Sequence, residues 1–339
     1  MSKKNSNVIL NNGFKNFRDI SETYLNFENK IKKLKKNSFV IGVSGGADSL
    51  ALTALSKSLQ FKKKIKFYYA LVNHNIRKNS LKEALQVKNL LKKHDIELSI
   101  LSNKKKIKKN IQGSARKIRY DLLIKFCIKK KANVILTAHN LEDQVETFFI
   151  RLSRGSGLTG LSAMRPLTNI NGNIKLFRPL LDTKKKLLVK ISNLVFGRFF
   201  EDPSNKNIKF LRTKIRNLKK PLKKSGINYD QIIRSIKNLA SSKAILDEYF
   251  HSLFKQTINR SGDTIRISLK KFKFFETEVK MKLINESIKK LKKNYYDARS
   301  KKVFNLLQNI ESDNFKKATL SGCIFFIKND NLCLKLEKK

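Results

Sequence analysis

Tryptophan is absent from this 339-residue chain, cysteine occurs three times and proline four. Cys127, Cys323 and Cys333 are too few and too scattered for a disulfide framework or a CxxC metal site. No apolar run approaches the roughly 20 residues that span a bilayer. The first residues (MSKKNSNVILNNGFKNFRDI) lack the apolar core of a signal peptide. Acids are scarce too, with 26 Asp and Glu against 75 Lys and Arg, a formal net charge of +49. These shortages argue against a secreted scaffold, a membrane protein and a thiolate-metal protein. They predict a soluble protein of a reducing, cytoplasmic compartment with no membrane partner.

What is present points elsewhere. Hydrophobic residues make up 40%, enough for real cores, and the length suits two domains. The positive surplus favours a polyanionic partner, because Lys and Arg displace counterions condensed on phosphate backbones. Lysine supplies 60 of the 75 basic residues, a compositional drift in its own right. Each Arg therefore marks a place where the planar guanidinium fork matters. Eleven of the 15 Arg lie at or before Arg216, and all four Pro lie between Pro166 and Pro221.

The first two thirds alternate strand-like and helix-like segments. Strands are expected at 38–44, 65–74, 96–102 and 132–139, with helices at 48–60, 80–94, 114–130 and 141–152. That alternation predicts an α/β domain, a Rossmann-like parallel sheet with helices on both faces. Such sheets place ligands at the carboxyl ends of their strands, where Ser44, His74 and His139 fall. The expected organisation is a catalytic domain over 1–218, a linker over 219–228 (KKPLKKSG within it) and a small basic α+β domain over 229–339. In the last, helices are expected over 229–254 and 276–293, and a hairpin of strands 319–328 and 332–336 turning at KNDN.

Four motifs carry chemistry. Ser44-Gly45-Gly46-Ala47-Asp48-Ser49 follows an apolar strand and opens a helix. Its glycines let backbone N–H groups approach a ligand, the helix N-terminus attracts phosphate, and Asp48 can hold Mg²⁺. Lacking Gly-Lys-Ser/Thr, it is not a Walker P-loop. In TAHNLEDQVET, a helix begun near His139 would set His139, Asp143 and Glu146 on one face. Arg116 and Arg119, in ARKIRY, lie one helical turn apart, as a phosphate clamp requires. His74 and Arg77 end the second strand. Arg151 and Arg154, in RLSRGSGLTG, form either a C-cap loop or an RNA contact. Lys104–Lys109 read as a solvated loop; His94 and His251 read as packing or surface residues.

SGGADS resembles the PP-loop of N-type ATP pyrophosphatases, which adenylate an oxygen and release pyrophosphate. With VNHNIR, ARKIRY, AHNLEDQVET, RLSRGSGLTGL, RPLL (Arg178–Leu181), EDPSN (Glu201–Asn205) and the Arg212/Arg216 pair of FLRTKIRNL, the resemblance narrows to the tRNA(Ile)-lysidine synthase family. It runs from about Phe39 to Pro221. It implies that ATP adenylates C2 of the wobble cytidine of tRNA(Ile) with a CAU anticodon. Free L-lysine then displaces AMP to give lysidine, changing identity from Met to Ile and reading from AUG to AUA. By that resemblance Ser44–Ser49, His74, Arg116 and His139 bind ATP, Asp48 through Mg²⁺. Asp48, Arg119, Asp143 and Glu146 are catalytic, and Arg151, Arg154, Arg178, Arg212 and Arg216 meet RNA. Many members carry His-His and Asp-Asp where this chain has His139-Asn140 and Glu142-Asp143, and Asn where it has Thr213.

Three rivals share some of these features. A tRNA thiolase on the same fold needs paired cysteines, and the first domain has Cys127 alone. A non-catalytic RNA-binding protein would not need an intact SGGADS beside an acidic helix. A ligase acting on a small carboxylate would not need the basic surplus. Monomer and homodimer both stay open.

Overall fold

The computed structural model describes residues 3–76, 79–103, 111–201, 210–292, 298, 300–312 and 314–337. Arg77, Lys104–Lys109 and Asp202–Asn205 of EDPSN lie outside the described residues. Two compact units divide the chain, Met1–Ala240 and Ser241–Lys339.

The first unit is a six-stranded sheet with helices on both faces. Helices α1 (Lys3–Asn11) and α2 (Arg18–Lys33) precede β1 (Ser38–Val43), and α3 (Ala47–Lys62) leads to β2 (Lys66–Asn73). Then come α4 (Ser80–Lys92), β3 (Leu98–Ser102), α5 (Ile111–Lys129), β4 (Val134–Leu136), α6 (Leu141–Leu152) and the single turn α7 (Leu158–Leu161). The hairpin β5 (Leu167–Asn171) and β6 (Ile174–Phe177) is followed by α8 (Lys185–Phe196), α9 (Leu211–Asn217) and α10 (Lys219–Lys224). Strand order is β3-β2-β1-β4-β6-β5, parallel throughout except for antiparallel β5. The expected Rossmann-like parallel sheet is therefore present.

Alternation along β1 builds the two layers. Phe39, Ile41 and Val43 face one cluster with Leu50, Leu55 and Leu188, while Val40 faces another with Leu123, Phe126 and Cys127. Connections reverse direction between β1 and β4, the adjacent strands from which the chain winds out to opposite edges. Crevices open at the carboxyl ends of strands at such a switch point. Ser44 and Thr137 follow those two strands, so the glycine loop and the acidic helix meet there because of topology.

Sequence periodicity missed β5, β6 and α8, and its linker needs correction. Residues 219–224 form α10, in whose first turn Pro221 sits where its missing N–H costs nothing. The division of the chain falls instead within α11 (Tyr229–Thr257).

The second unit holds β7 (Ile258–Ser261), β8 (Thr264–Ser268), α12 (Leu269–Phe274), α13 (Thr277–Leu291), α14 (Ser300–Glu311), β9 (Lys317–Leu320), β10 (Cys323–Lys328) and β11 (Asn331–Leu336). Its antiparallel sheet, ordered β7-β8-β11-β10-β9, packs its own core of Ile265, Phe272, Ile284, Leu307 and Phe325. The stretch expected as one strand over 319–328 is two, broken by a turn at Ser321 (φ 55°) and Gly322 (φ 73°). Among the described residues, no helix is long and apolar enough to cross a membrane.

Candidate active site

The glycine loop is fixed by its own hydroxyls. Ser49 Oγ donates to the Gly46 carbonyl (2.9 Å) and accepts from the Ser44 N–H (3.1 Å), closing the turn between β1 and α3. Ser44 Oγ lies 3.1 Å from Ser49 Oγ and is exposed at the mouth. Gly45 takes φ +83°, and a Cβ there would lie 2.6 Å from Val87 Cγ2, so both conformation and space call for glycine. Gly46 is the N-cap of α3 and supplies no side-chain cap, which leaves the first-turn N–H groups beginning at Ala47 facing the crevice. Such an arrangement suits an anion.

Asp48 stands on that first turn. Burial pushes its carboxyl up to about 6, with Asp143 and Glu142 adding to the rise while Lys185 and a hydrogen bond from Asn140 oppose it. Its Oδ1 is buried and has no hydrogen-bond partner among the described residues. An anionic oxygen so placed, in a field made negative by two neighbouring carboxylates, suits a divalent cation.

The acidic helix begins at Leu141, as expected, two residues after His139. Asn140 is the N-cap of α6: its side chain accepts from Asp143 N–H (2.9 Å), and Asp143 Oδ2 accepts from Asn140 N–H (3.1 Å). His139 therefore precedes the helix and does not share its face with Asp143 and Glu146. The Asn140 that departs from the family pattern thus caps α6 and binds Asp48. Glu142 Oε2 accepts the backbone N–H of Lys185 (2.9 Å), securing the start of α8.

Asp143 and Glu146 do not stand alone. Arg212 reaches Asp143 Oδ1 (2.8 Å) and Glu146 Oε2 (2.5 Å), and Arg216 Nε reaches Glu146 Oε1 (2.5 Å). Glu146 is 4% exposed on its side chain, the two arginines 37% and 32%. The sequence reading cast this pair as RNA contacts; in the fold their forks are spent on the acids, some 70 residues back along the chain.

The remaining arginines separate into two groups. Arg116 and Arg119 are exposed on one side of α5, and with Arg178 and Arg212 they reinforce the effect of burial on His139, which falls to about 3. His139 is thus a neutral imidazole, with Nδ1 2.9 Å from Thr137 Oγ1. His74 is likewise lowered by burial and Arg119, and neither ring nitrogen has a partner among the described residues. By contrast, Arg151 donates to the carbonyls of Gly160 and Ala163 (both 2.7 Å), bracing its own loop. Arg178 is 7% exposed and donates to the Arg165 carbonyl (2.8 Å) and Thr168 Oγ1 (3.0 Å). Both were expected on RNA, and both donate to backbone carbonyls of the neighbouring loop. Arg154 alone of the RLSRGSG pair is exposed. Lys185 and Asn140 are the site residues that sequence reasoning passed over; Asn before a helix was the available signal.

Burial pushes the Cys127 thiol up to about 11, the behaviour of a packing residue and not of a reactive thiolate.

Comparison with known proteins identifies relatives of this chain. The PP-loop domain family matches residues 20–222. The tRNA(Ile)-lysidine synthase of Wolbachia pipientis wMel is 34% identical over 309 residues, 89% of this chain and 72% of that protein. The Rickettsia typhi protein of the same name is 34% identical over 321 residues, 89% of this chain and 71% of that one. Among solved structures, the U34-tRNA thiolase NcsA from Methanococcus maripaludis shares the fold at a TM-score of 0.53 and 18% identity, covering 66% of this chain and 78% of that chain.

Proposed function

This chain belongs to the PP-loop family and, within it, to the tRNA(Ile)-lysidine synthases, and from that membership we propose how its residues divide the work. It is an ATP-dependent ligase that forms lysidine on tRNA. The C2 oxygen of the wobble cytidine in a tRNA(Ile) CAU anticodon attacks the α-phosphorus of ATP, and pyrophosphate leaves. The ε-amine of free lysine then attacks C2, the C2–O bond breaks, AMP departs, and the enzyme accepts one proton.

The loop Ser44–Ser49 and the N-terminus of α3 cradle the triphosphate. Arg116 and Arg119, one turn apart, neutralise charge as pyrophosphate leaves. His74 and His139, held neutral beside those cations, present nitrogen without adding positive charge. Asp48 holds Mg²⁺, which when bound neutralises phosphate oxygens.

Lysine's amine has an ordinary pKa near 10.4, so freeing it at pH 7 costs roughly 3.4 units, or about 4.6 kcal/mol. A carboxylate beside the ammonium lowers that cost by accepting the proton as the C–N bond forms. Asp143 takes that role and Glu146 orients. Arg212 and Arg216 are hydrogen-bonded to these acids, and RNA phosphates compete for the same planar forks. When Arg212 turns to phosphate, Asp143 Oδ1 is released to the incoming ammonium.

The observation that supports this most is Asp48: its unpartnered Oδ1 lies where the phosphate cradle and the acidic turn meet across the sheet's switch point. The test is AMP release from ATP. Wild-type protein releases AMP only with tRNA(Ile) present, and Asp48→Asn loses at least a hundredfold while still binding tRNA. Release by Asp48→Asn at the wild-type rate would refute the assignment.

A further inference from the structure

We propose that Asn75 is a positioning residue for ATP binding: its side chain closes a clasp of three asparagines about His74 and so fixes where the imidazole stands at the carboxyl end of β2. This rests on His74 being an ATP ligand, as assigned above. A ring that presents a nitrogen to a ligand has to hold one orientation, and histidine commonly gets it from a hydrogen bond at the other ring nitrogen. His139 has such a bond, to Thr137 Oγ1 at 2.9 Å. His74 has none, because both its ring nitrogens are buried without a partner among the described residues. Its orientation therefore comes from the backbone on either side.

That backbone is held unusually closely. Asn73 is the last residue of β2, 3% exposed and paired with Ser102 at the end of β3. The Asn75 N–H donates to Asn73 Oδ1 (3.0 Å), and Asn73 Nδ2 donates back to Asn75 Oδ1 (2.8 Å), so the two bonds span His74. Asn75 Nδ2 also donates to the Asn103 carbonyl (2.8 Å), while the Asn103 N–H donates to the Asn73 carbonyl (2.9 Å). The chain before and after His74 is thus tied to itself and to the end of β3. Asn75 takes φ +53°, a left-handed conformation that asparagine and glycine adopt at least cost. Conformation narrows the position to those two residues, and the side-chain bonds decide for asparagine.

The clasp delivers the ring to the cationic side of the crevice. Val72, two residues earlier, packs with Leu123 and Tyr120 of α5, and strand alternation carries His74 toward the same side. There Arg119 of that helix adds to the effect of burial in keeping the imidazole neutral.

The test measures MgATP binding to the full chain by isothermal titration calorimetry for wild type, His74→Ala, Asn75→Gly and the double variant. Asn75→Gly keeps the left-handed turn and removes the clasp, and raises the Kd about three- to tenfold, the scale of one or two lost hydrogen bonds. His74→Ala weakens binding at least as much. The double variant binds like His74→Ala alone, because Asn75 acts through the ring. In ¹H–¹⁵N spectra of the imidazoles, the signals lost in His74→Ala shift in Asn75→Gly, and those of His94, His139 and His251 stay in place. Wild-type affinity in Asn75→Gly overturns the proposal. So does a Kd that Asn75→Gly raises as much in the His74→Ala background as alone, which would mark a structural role only. His74→Ala binding MgATP as tightly as wild type overturns instead the assignment of His74 to ATP.

Discussion

Replacing Glu146 with glutamine would expose the central electrostatic device of the site. The side chain keeps its shape and loses its charge, leaving a neutral acceptor beside Arg216 while Arg212 keeps its bond to Asp143 Oδ1. Removing one partner of a fully buried pair costs about 3–5 kcal/mol, because the remaining charge is left unpaired in low dielectric. Here the carboxylate is 4% exposed but the arginines are 37% and 32% exposed, so water recovers part of that loss. About 1–3 kcal/mol is the reasonable range, which for a unit of this size lowers Tm by roughly 3–9 °C. Thermal unfolding by circular dichroism or calorimetry reads it. A double-mutant cycle with Arg216→Gln isolates the pair: the second substitution in the Glu146→Gln background costs less than it does alone. Additive effects within about 0.3 kcal/mol, or a Tm unchanged by Glu146→Gln, would refute the reasoning.

Three further outcomes follow from the geometry. Because burial raises Asp48 to about 6 from an ordinary 3.8, the folded state binds more protons than the unfolded chain between those values. Its contribution is thus unfavourable above pH 6 and relieved as pH falls toward 4, by at most about 3 kcal/mol. Asp48→Asn should raise Tm at pH 8 in metal-free buffer and flatten its pH dependence between 4 and 6, read by calorimetry. Gly45→Ala should destabilise by roughly 1–3 kcal/mol and raise the KM for ATP, since the added Cβ meets Val87 at 2.6 Å in a left-handed conformation. Asn140→Ala should cost about 1 kcal/mol through the lost cap and, by removing a hydrogen bond from Asp48, move that carboxyl further up, followed by NMR titration.

Local signals made much of the fold legible. Apolar strands followed by helical periods announced β1 through α6, and two glycines before Asp-Ser announced the tight turn between β1 and α3. The β5–β6 hairpin was missed although Asn171-Gly172 marks its turn, because the strands are short and half-polar. The long run at 319–328 hid a turn, since Ser321-Gly322 interrupts no hydrophobic period. At the site, Arg212 and Arg216 stand out through their resemblance to an arginine pair of the family, and that resemblance assigned them to RNA. It did not say what the fork holds: their partners Asp143 and Glu146 lie 66 to 70 residues away, beyond the reach of any helical spacing. For the same reason Arg151 and Arg178 could not be told from exposed phosphate ligands until the carbonyls they satisfy were in view.

The most direct test of the account supplies the full chain with ATP, Mg²⁺ and radiolabelled lysine. It counts acid-precipitable label on a tRNA(Ile) CAU transcript beside a tRNA(Met) control. ATP-dependent label on tRNA(Ile) alone, released by nuclease digestion as a modified cytidine, is the predicted result. AMP release without label would contradict lysine as the nucleophile, and neither label nor AMP would contradict the catalytic reading of the site altogether.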